Sequence, residues 1–361
     1  MRAALGLARR GLGRVWPNPA VGCILAHGGR VVGRGWTQPG GRPHAETEAL
    51  ARAGTAAQGA TAYLTLEPCA HHGRTPPCAD ALVAAGIARA VVAMADPDAR
   101  VDGAGLARLG DAGVEVVTGV ERDAALELNA GFVLHRAAGR PLVTLKVAAT
   151  LDGRIATRTG ASRWITGASA RRQAHLLRAG HDAVAVGIGT VLADDPALTC
   201  RLPGLADRSP VRVVFDGALR LPPTSQLVRT AGATPLWVVT REGTDGRALA
   251  AAGAEIIAVP PGHDGRLDLL AALAALARRG VTRLLVEGGA ALATAFVAAG
   301  RVDRLAWFTA PSLLGADARP AIGALERNDV GEAPGFHMVG IDRFDGDVLE
   351  TLVALAPVES F

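Results

Sequence analysis

Apolar positions along this chain alternate between two rhythms. Short runs rich in valine, isoleucine and leucine trade places with stretches of about ten residues whose apolar positions recur three and four apart. Read in order, the pattern predicts an amphipathic helix near 3–11, a strand at 21–26 (VGCILA), a turn at 27–29 and a second strand near 30–35, which together make a hairpin. A helix over 44–52, a strand at 62–66, a helix at 78–85, a strand at 90–94, a helix near 105–113, a strand at 114–118 and a long helix over 123–135 follow. Such alternation predicts an α/β sheet that is largely parallel. Gly139-Arg140-Pro141 is the best boundary, because the proline stops the helix and a new strand, PLVTLKVA, starts there.

Beyond that boundary the pattern predicts strands at 142–148, 183–188, 211–216, 236–240, 255–259, 284–286 and 304–309, with helices near 169–179, 267–279 and 290–299. Asp345-Gly346 between two strand-like runs signals a closing hairpin. The halves share no motif, so the expectation is two different α/β domains, 1–139 and 141–361, not a duplication.

Composition excludes several classes. With 49% hydrophobic and 20% charged residues the chain is neither disordered nor a polyelectrolyte. No apolar run approaches the roughly 20 residues of a membrane span, and the start, MRAALGLARRG, is too arginine-rich for a secretory signal, so a cytoplasmic protein with no membrane contact is expected. A net charge of +4 spread along the chain, with 4% aromatics, predicts no nucleic-acid surface. Four cysteines in 361 residues make no disulfide scaffold. Of 38 basic residues only Lys146 is a lysine. A solitary ammonium either survives by accident or does something a guanidinium cannot.

The sharpest chemistry lies in His44-Ala45-Glu46, then Pro68-Cys69, then Cys78. One imidazole and two thiolates suit zinc, and three protein ligands leave a fourth position for water, the mark of a catalytic site. Glu46 falls in the first turn of the helix that His44 opens, placed to move protons. Cys78 opens another helix, whose positive end favours a thiolate. The order H-x-E then P-C and a second Cys is the signature of zinc nucleobase deaminases. Here the cysteines are separated by eight residues, not two, and His71 and His72 lie between them. A ligand role for either histidine would close the water position.

That expanded loop narrows the resemblance. PCAHHGRTPPC, with PNPAVGCIL at 17–25 and GGRPHAETEAL at 40–50, resembles the bifunctional deaminase/reductase enzymes of riboflavin biosynthesis. LKVAATLDGRIA (145–156), SRWITG (162–167), LLRAGHDAVAVGIGTVLADDPALTCR (176–201) and LLVEGG (284–289) resemble the reductase half of the same enzymes. The resemblance implies a cytidine-deaminase-like α/β/α domain followed by a dihydrofolate-reductase-like α/β domain. It implies zinc-dependent hydrolytic deamination of 2,5-diamino-6-(5-phosphoribosylamino)pyrimidin-4(3H)-one, then NADPH reduction of the ribosyl chain to ribityl. The partner would be that small pyrimidine ribosylamine phosphate, with one Zn2+ per chain. Relatives are often oligomeric through the reductase domain, which makes a homo-oligomer an expectation. The alternative is a zinc deaminase of RNA bases with an appended binding module; the eight-residue spacing and the scarcity of aromatics weigh against it.

Carried onto this sequence, the resemblance makes His44, Cys69 and Cys78 the metal ligands and Glu46 the proton shuttle. Asn18 in PNP contacts the pyrimidine substrate or is simply a turn residue between two prolines. NADPH is expected at Ala148, Trp164, Thr190 and Asp194 and along Gly289, Ala290, Ala291, Leu292, Ala293, Thr294 and Ala295. Ser162, Arg178, Leu198, Arg201 and Glu287 are expected to bind the ribosyl phosphate. Gly187-Ile188-Gly189 lacks the third glycine of a dinucleotide fingerprint, whereas Gly288-Gly289 before a helix suits a phosphate or a tight turn. Lys146 is expected to bind the ribose chain or assist its reduction. Asp152-Gly153 reads as a turn, and Cys23 and Cys200 as buried core residues.

Overall fold

A computed structural model describes residues 1–71, 76–98, 101, 103–262 and 264–355. The chain divides into two compact units, Met1–Gly139 and Arg140–Phe361.

The first unit runs α1 (Arg2–Ala8), β1 (Gly22–His27), β2 (Arg30–Trp36), α2 (Ala45–Ala53), β3 (Thr61–Leu64), α3 (Cys78–Ala84), β4 (Arg89–Val92), α4 (Ala104–Asp111), β5 (Glu115–Thr118), α5 (Arg122–Leu128) and α6 (Ala130–Ala138). Its five strands lie in the order β2-β1-β3-β4-β5. The sheet is mixed, not largely parallel: β1 pairs antiparallel with both β2 and β3, and only β3-β4-β5 run parallel. The cause is local. Gly28 and Gly29 both adopt positive φ, which turns the chain sharply back into the hairpin. The chain then returns through α2 to the other side of β1.

The α2 helix lies against β2 at unusually close range. A Cβ on Gly35 would stand 2.0 Å from the Ala45 carbonyl, so only glycine admits this approach. Ala45 and Ala49 of α2 thereby join Leu25, Leu64, Leu82 and Leu109 in one core, and the first turn of α2 is fixed against the sheet. The single helix expected over 123–135 is two helices, broken at Asn129. Its buried side-chain amide pairs with the Ala20 backbone, accepting from the N–H at 2.9 Å and donating to the carbonyl at 3.1 Å. Asparagine competes with the helix for backbone partners, and here a distant backbone wins.

The second unit continues with β6 (Leu142–Thr150), β7 (Arg154–Ala156), α7 (Ala168–Ala179), β8 (Ala183–Gly187), α8 (Ile188–Asp194), β9 (Val211–Phe215), α9 (Gln226–Arg229), β10 (Leu236–Arg241), α10 (Arg247–Ala251) and β11 (Glu255–Val259). It ends with α11 (Leu269–Arg278), β12 (Arg283–Val286), α12 (Ala290–Ala298), β13 (Arg304–Ala310), β14 (Arg319–Pro320), β15 (Phe336–Phe344) and β16 (Asp347–Ala354). Nine strands form one sheet in the order β11-β10-β9-β8-β12-β6-β13-β16-β15. The pairs from β11 through β13 are parallel, and the β13-β16-β15 edge is antiparallel. Val184 and Val186 in β8 and Leu284 to Val286 in β12 are fully buried, as strands covered on both faces must be.

The closing hairpin turns at Asp345, which has positive φ. The strand read to residue 188 stops at Gly187, which caps a seven-residue helix, α8, that the apolar pattern did not separate from its strand. A buried bidentate ion pair, Arg140 to Asp303 at 2.8 and 2.9 Å, ties the start of this unit to the lead-in of β13, and Asp303 also accepts from the Val143 N–H at 2.7 Å. Among the described residues no helix is long and apolar enough to cross a membrane.

Candidate active sites

In the first unit, β2 delivers the chain to α2, for which His44 is the N-cap residue in extended conformation. Glu46 follows in the first turn with 4% of its surface exposed. Cys69 lies in the segment after β3, and Cys78 is the first residue of α3. These three ligand types converge: His44 Nδ1 is 3.3 Å from Cys78 Sγ and 3.7 Å from Cys69 Sγ, and all three atoms lie within 4.8 Å of one another. Tetrahedral zinc with Zn–S of about 2.3 Å and Zn–N of about 2.0 Å would separate nitrogen and sulfur by roughly 3.5 Å. The donor set therefore fits zinc. His71 is exposed and stays outside the converging set; His72 lies outside the described residues.

The electrostatics agree. A side-chain hydrogen bond from Cys78 holds the Cys69 thiol down to about 4, and the same bond, with burial, drives Cys78 up. Beside them the affinity of the His44 imidazole for protons is raised, chiefly by its hydrogen bond to Cys69. A cation takes the place of such protons. Burial lifts the Glu46 carboxyl to about 7, where it can both hold and release a proton.

One pocket joins His44, Glu46 and Cys69 to Asn18, Glu67, Asp96 and Asp98. Asn18 packs over Gly41 so closely that a Cβ there would fall 1.9 Å from its Nδ2. Burial raises the Asp96 carboxyl to about 6. Arg136 reaches Asp98 at 3.4 Å. Sequence reasoning missed Glu67, Asp96, Asp98 and Arg136. The legible signals were an acidic residue directly before Pro68-Cys69 and the Asp96-Pro97-Asp98 turn.

In the second unit, Glu287 and Gly289 follow the carboxyl end of β12 and Thr190 that of β8, the end of parallel strands where open α/β sheets bind ligands. Glu287 follows β12 and receives Arg178 of α7 bidentately, Nε to Oε1 at 2.6 Å and Nη2 to Oε2 at 2.8 Å. Arg178 Nη1 donates to the Thr199 carbonyl at 2.9 Å, so its fork is committed to protein. Burial pushes Glu287 up, but Arg178 and Lys146 outweigh it and hold the carboxylate ionised. Lys146 on β6 points its ammonium towards the Phe308 ring, 5.6 Å from the centroid. Burial lowers its pKa, and the Glu287 charge opposes that.

Leu198 adopts positive φ and is buried. Arg201 is exposed, with its N–H 3.3 Å from His175 Nδ1. Among the described residues Ser162 makes no hydrogen bond to this group. Its neighbour Arg163 instead donates to the Asp194 carbonyl at 2.7 Å, drawing the loop that carries the 67% exposed Trp164 to the end of α8.

The starts of α8 and α12 abut. Gly289, the N-cap residue of α12, has φ of 79°, and a Cβ on it would lie 3.0 Å from Thr190 Oγ1 of α8. A glycine that leaves room at two helix starts is a cradle for an anionic group, and it fits a dinucleotide phosphate. The stretch Gly289 to Ala295 is not one surface, since a helix turns about 100° per residue. Ala293 is buried in the core, and the Thr294 hydroxyl donates to the Ala290 carbonyl at 2.6 Å and accepts from Gly323 N–H at 2.7 Å. The opening turn around Gly289 borders Thr190. Ala148 is half-buried on β6, two residues beyond Lys146.

Both units have counterparts among known proteins. Residues 1–94 match the cytidine and deoxycytidylate deaminase zinc-binding region, and residues 141–349 match the RibD C-terminal domain. The riboflavin biosynthesis protein RibD of Escherichia coli K12 is 43% identical over 364 residues, covering 98% of each chain. Among solved structures, Acinetobacter baumannii RibD shares 38% identity with a TM-score of 0.88, covering 98% of this chain and 97% of that one. A diaminohydroxyphosphoribosylaminopyrimidine deaminase/5-amino-6-(5-phosphoribosylamino)uracil reductase of Thermotoga maritima shares 34% with a TM-score of 0.86 over the same shares. The first unit is a cytidine-deaminase-like α/β/α fold and the second a dihydrofolate-reductase-like α/β fold. With a relative this similar spanning nearly all of both chains, this chain belongs to the RibD family of riboflavin biosynthesis proteins.

Proposed function

We infer that this chain is a bifunctional enzyme of riboflavin biosynthesis that acts on a small pyrimidine in two steps. The first unit deaminates 2,5-diamino-6-(5-phosphoribosylamino)pyrimidin-4(3H)-one hydrolytically. The second reduces the ribosyl chain of the resulting 5-amino-6-(5-phosphoribosylamino)uracil to ribityl with NADPH. The observation that carries this reading is the convergence of His44, Cys69 and Cys78 at a pocket that His44, Cys69 and Glu46 line, in a chain whose other half matches the reductase domain. That second match also weighs against an appended RNA-binding module.

His44, Cys69 and Cys78 would hold zinc, which would supply the Lewis acidity that lowers the pKa of a bound water to ~7. Glu46 takes the proton released as water adds to the amino-bearing carbon. It returns that proton to the ring nitrogen and then carries the remaining hydroxyl proton to the departing amine, so the carbon is left as a carbonyl and the amine leaves as ammonia. Asn18 orients the pyrimidine at the mouth of the pocket.

NADPH supplies the hydride, and the chain's own groups place the carbon that receives it. The nucleotide contacts are Ala148, Trp164, Thr190, Asp194 and the opening of α12 from Gly289. Glu287, kept ionised chiefly by Arg178, accepts from sugar hydroxyls, while Lys146 donates to them from β6. Ser162 and Arg201 take the phosphate; Arg178 contributes through Glu287 because its fork is already spent. The division of labour falls between residues 139 and 141, in keeping with the compact units. The enzyme acts in the cytoplasm, and the exposed Val339 and Ile341 on edge strand β15 support self-association through the reductase domain.

The test is an incubation of zinc-loaded protein with the diaminopyrimidinone ribosylamine phosphate and NADPH, following ammonia and NADPH together. Ammonia release preceding NADPH loss is expected. Glu46→Gln should keep zinc, abolish ammonia release and still reduce the deaminated intermediate; loss of both activities in a folded variant would refute two separate sites.

A further inference from the structure

We propose that Glu67 is a positioning residue of the deaminase pocket: its buried carboxylate closes the neck of the loop that carries Asp96 and Asp98, and so sets where that wall stands relative to the metal-ligand segment. The proposal rests on the deaminase reading above and names a role for a residue that no part of that chemistry uses.

The geometry is specific. Glu67 is 3% exposed and stands directly before Pro68-Cys69. Its carboxylate accepts four backbone N–H groups: Asp96 at 3.1 Å and Gly103 at 3.2 Å on Oε2, Gly105 at 2.9 Å and Leu106 at 3.3 Å on Oε1. One donor comes from the start of the loop after β4 and three from its end and the first turn of α4. The Glu67 backbone N–H also donates to the Met94 carbonyl at 3.0 Å. Both ends of the loop are therefore pinned to one residue, which is two positions from Cys69.

Close packing seals the arrangement. A Cβ on Gly105 would stand 2.0 Å from the Pro68 carbonyl, so the start of α4 rests on the ligand-bearing segment itself. Between the pinned ends lie Asp96, Asp98 and Val101, all of which line the pocket with His44, Glu46 and Cys69. Asp96 Oδ1 accepts from the Asp98 N–H at 2.9 Å, which makes the wall one hydrogen-bonded turn. A diaminopyrimidine offers N–H donors, and this wall offers carboxylate acceptors. Its distance from the metal ligands decides whether both ends of such a ring are met at once.

A carboxylate has about four acceptor sites and Glu67 fills them with four donors; a glutamine has one acceptor oxygen, so its NH2 would face two of those donors. The experiment is Glu67→Gln in the full chain, loaded with zinc, with deaminase KM and kcat measured at a temperature where the variant is folded. The expected result is a rise in KM or fall in kcat/KM on the order of 10- to 100-fold. Zinc content and reduction of the deaminated intermediate stay unchanged. A folded variant with less thermal stability but wild-type KM and kcat would show a merely structural carboxylate and overturn the proposal. Should the variant not fold, amide hydrogen exchange on the wild type decides: Gly103, Gly105 and Leu106 should exchange as slowly as β4, and fast exchange overturns it. Absence of ammonia release from the wild type would instead sink the deaminase reading while leaving the exchange result to be read on its own.

Discussion

His181 makes the stability of the second unit depend on pH in a way that the structure lets one work out. It follows the end of α7, the helix that carries Arg178, and is 5% exposed. Its Nδ1 lies 2.6 Å from the Leu177 carbonyl, which can only accept, so the ring proton is on Nδ1. Nε2, 2.9 Å from Thr144 Oγ1, then accepts from the hydroxyl. Both nitrogens are satisfied in this neutral form. Burial, with Arg283 nearby, pushes the pKa down to about 3. An unfolded histidine titrates near 6.5, so between about pH 6.5 and 3 the unfolded chain binds a proton that the native chain refuses. Stability from this group is complete above pH 6.5 and falls as pH drops through that window. The loss is ~2 kcal/mol at pH 5 and ~3 kcal/mol at pH 4. For a unit of this size ~2 kcal/mol is a fall in Tm of roughly 4–8 °C. Calorimetry of wild type and His181→Gln at pH 8 and pH 5 isolates the effect, the reductase transition being the one that NADPH shifts. The variant should be less stable at pH 8 yet lose roughly 4–8 °C less on acidification. Equal pH dependence in the two proteins would refute the neutral buried imidazole.

Three other outcomes are expected. Gly289→Ala must fit a Cβ 3.0 Å from Thr190 Oγ1 at a φ of 79°, so NADPH KM should rise at least severalfold in steady-state kinetics while ammonia release is untouched. Asp303→Asn leaves the buried Arg140 guanidinium without its carboxylate and should cost about 3–5 kcal/mol in denaturant unfolding of the reductase unit, whereas breaking the exposed pair of Arg247 with Asp245 should leave the unfolding midpoint unchanged. Cys69→Ser should lower bound zinc below one per chain by metal analysis and abolish ammonia release, with NADPH oxidation by supplied deaminated intermediate unchanged.

What the sequence made legible follows from how local each signal is. His44, Glu46, Cys69 and Cys78 announce themselves because the chemistry of zinc restricts residue type and because each stands at a helix start or just after a strand, where the pattern changes period. The parallel strands of the second unit are legible because strands buried on both faces read as unbroken apolar runs. The mixed sheet of the first unit is not, since alternation of helix and strand says nothing about which side of β1 the chain returns to. The break at Asn129 is likewise invisible, because what ends the helix is the backbone of Ala20, 109 residues away.

The same reasoning explains why the two arginines expected at the phosphate come apart. A guanidinium is recognised in a sequence by what it can bind, but its task is set by which acceptor reaches it first. Arg178 meets Glu287 across 109 positions and spends two nitrogens there and a third on Thr199; Arg201 remains exposed. The consequence is chemical as well as structural. Glu287 keeps its charge in a buried place chiefly because Arg178 is bound to it, and the lone ammonium of Lys146 in turn leans on that charge. Removing Arg178 would therefore act on the sugar end of the site through Glu287 and Lys146, whereas removing Arg201 would act on the phosphate alone. Arg178→Leu should lower kcat for reduction, and Arg201→Leu should raise KM for the phosphorylated substrate at nearly constant kcat. Identical KM-only effects in both variants would mean that Arg178, too, binds phosphate.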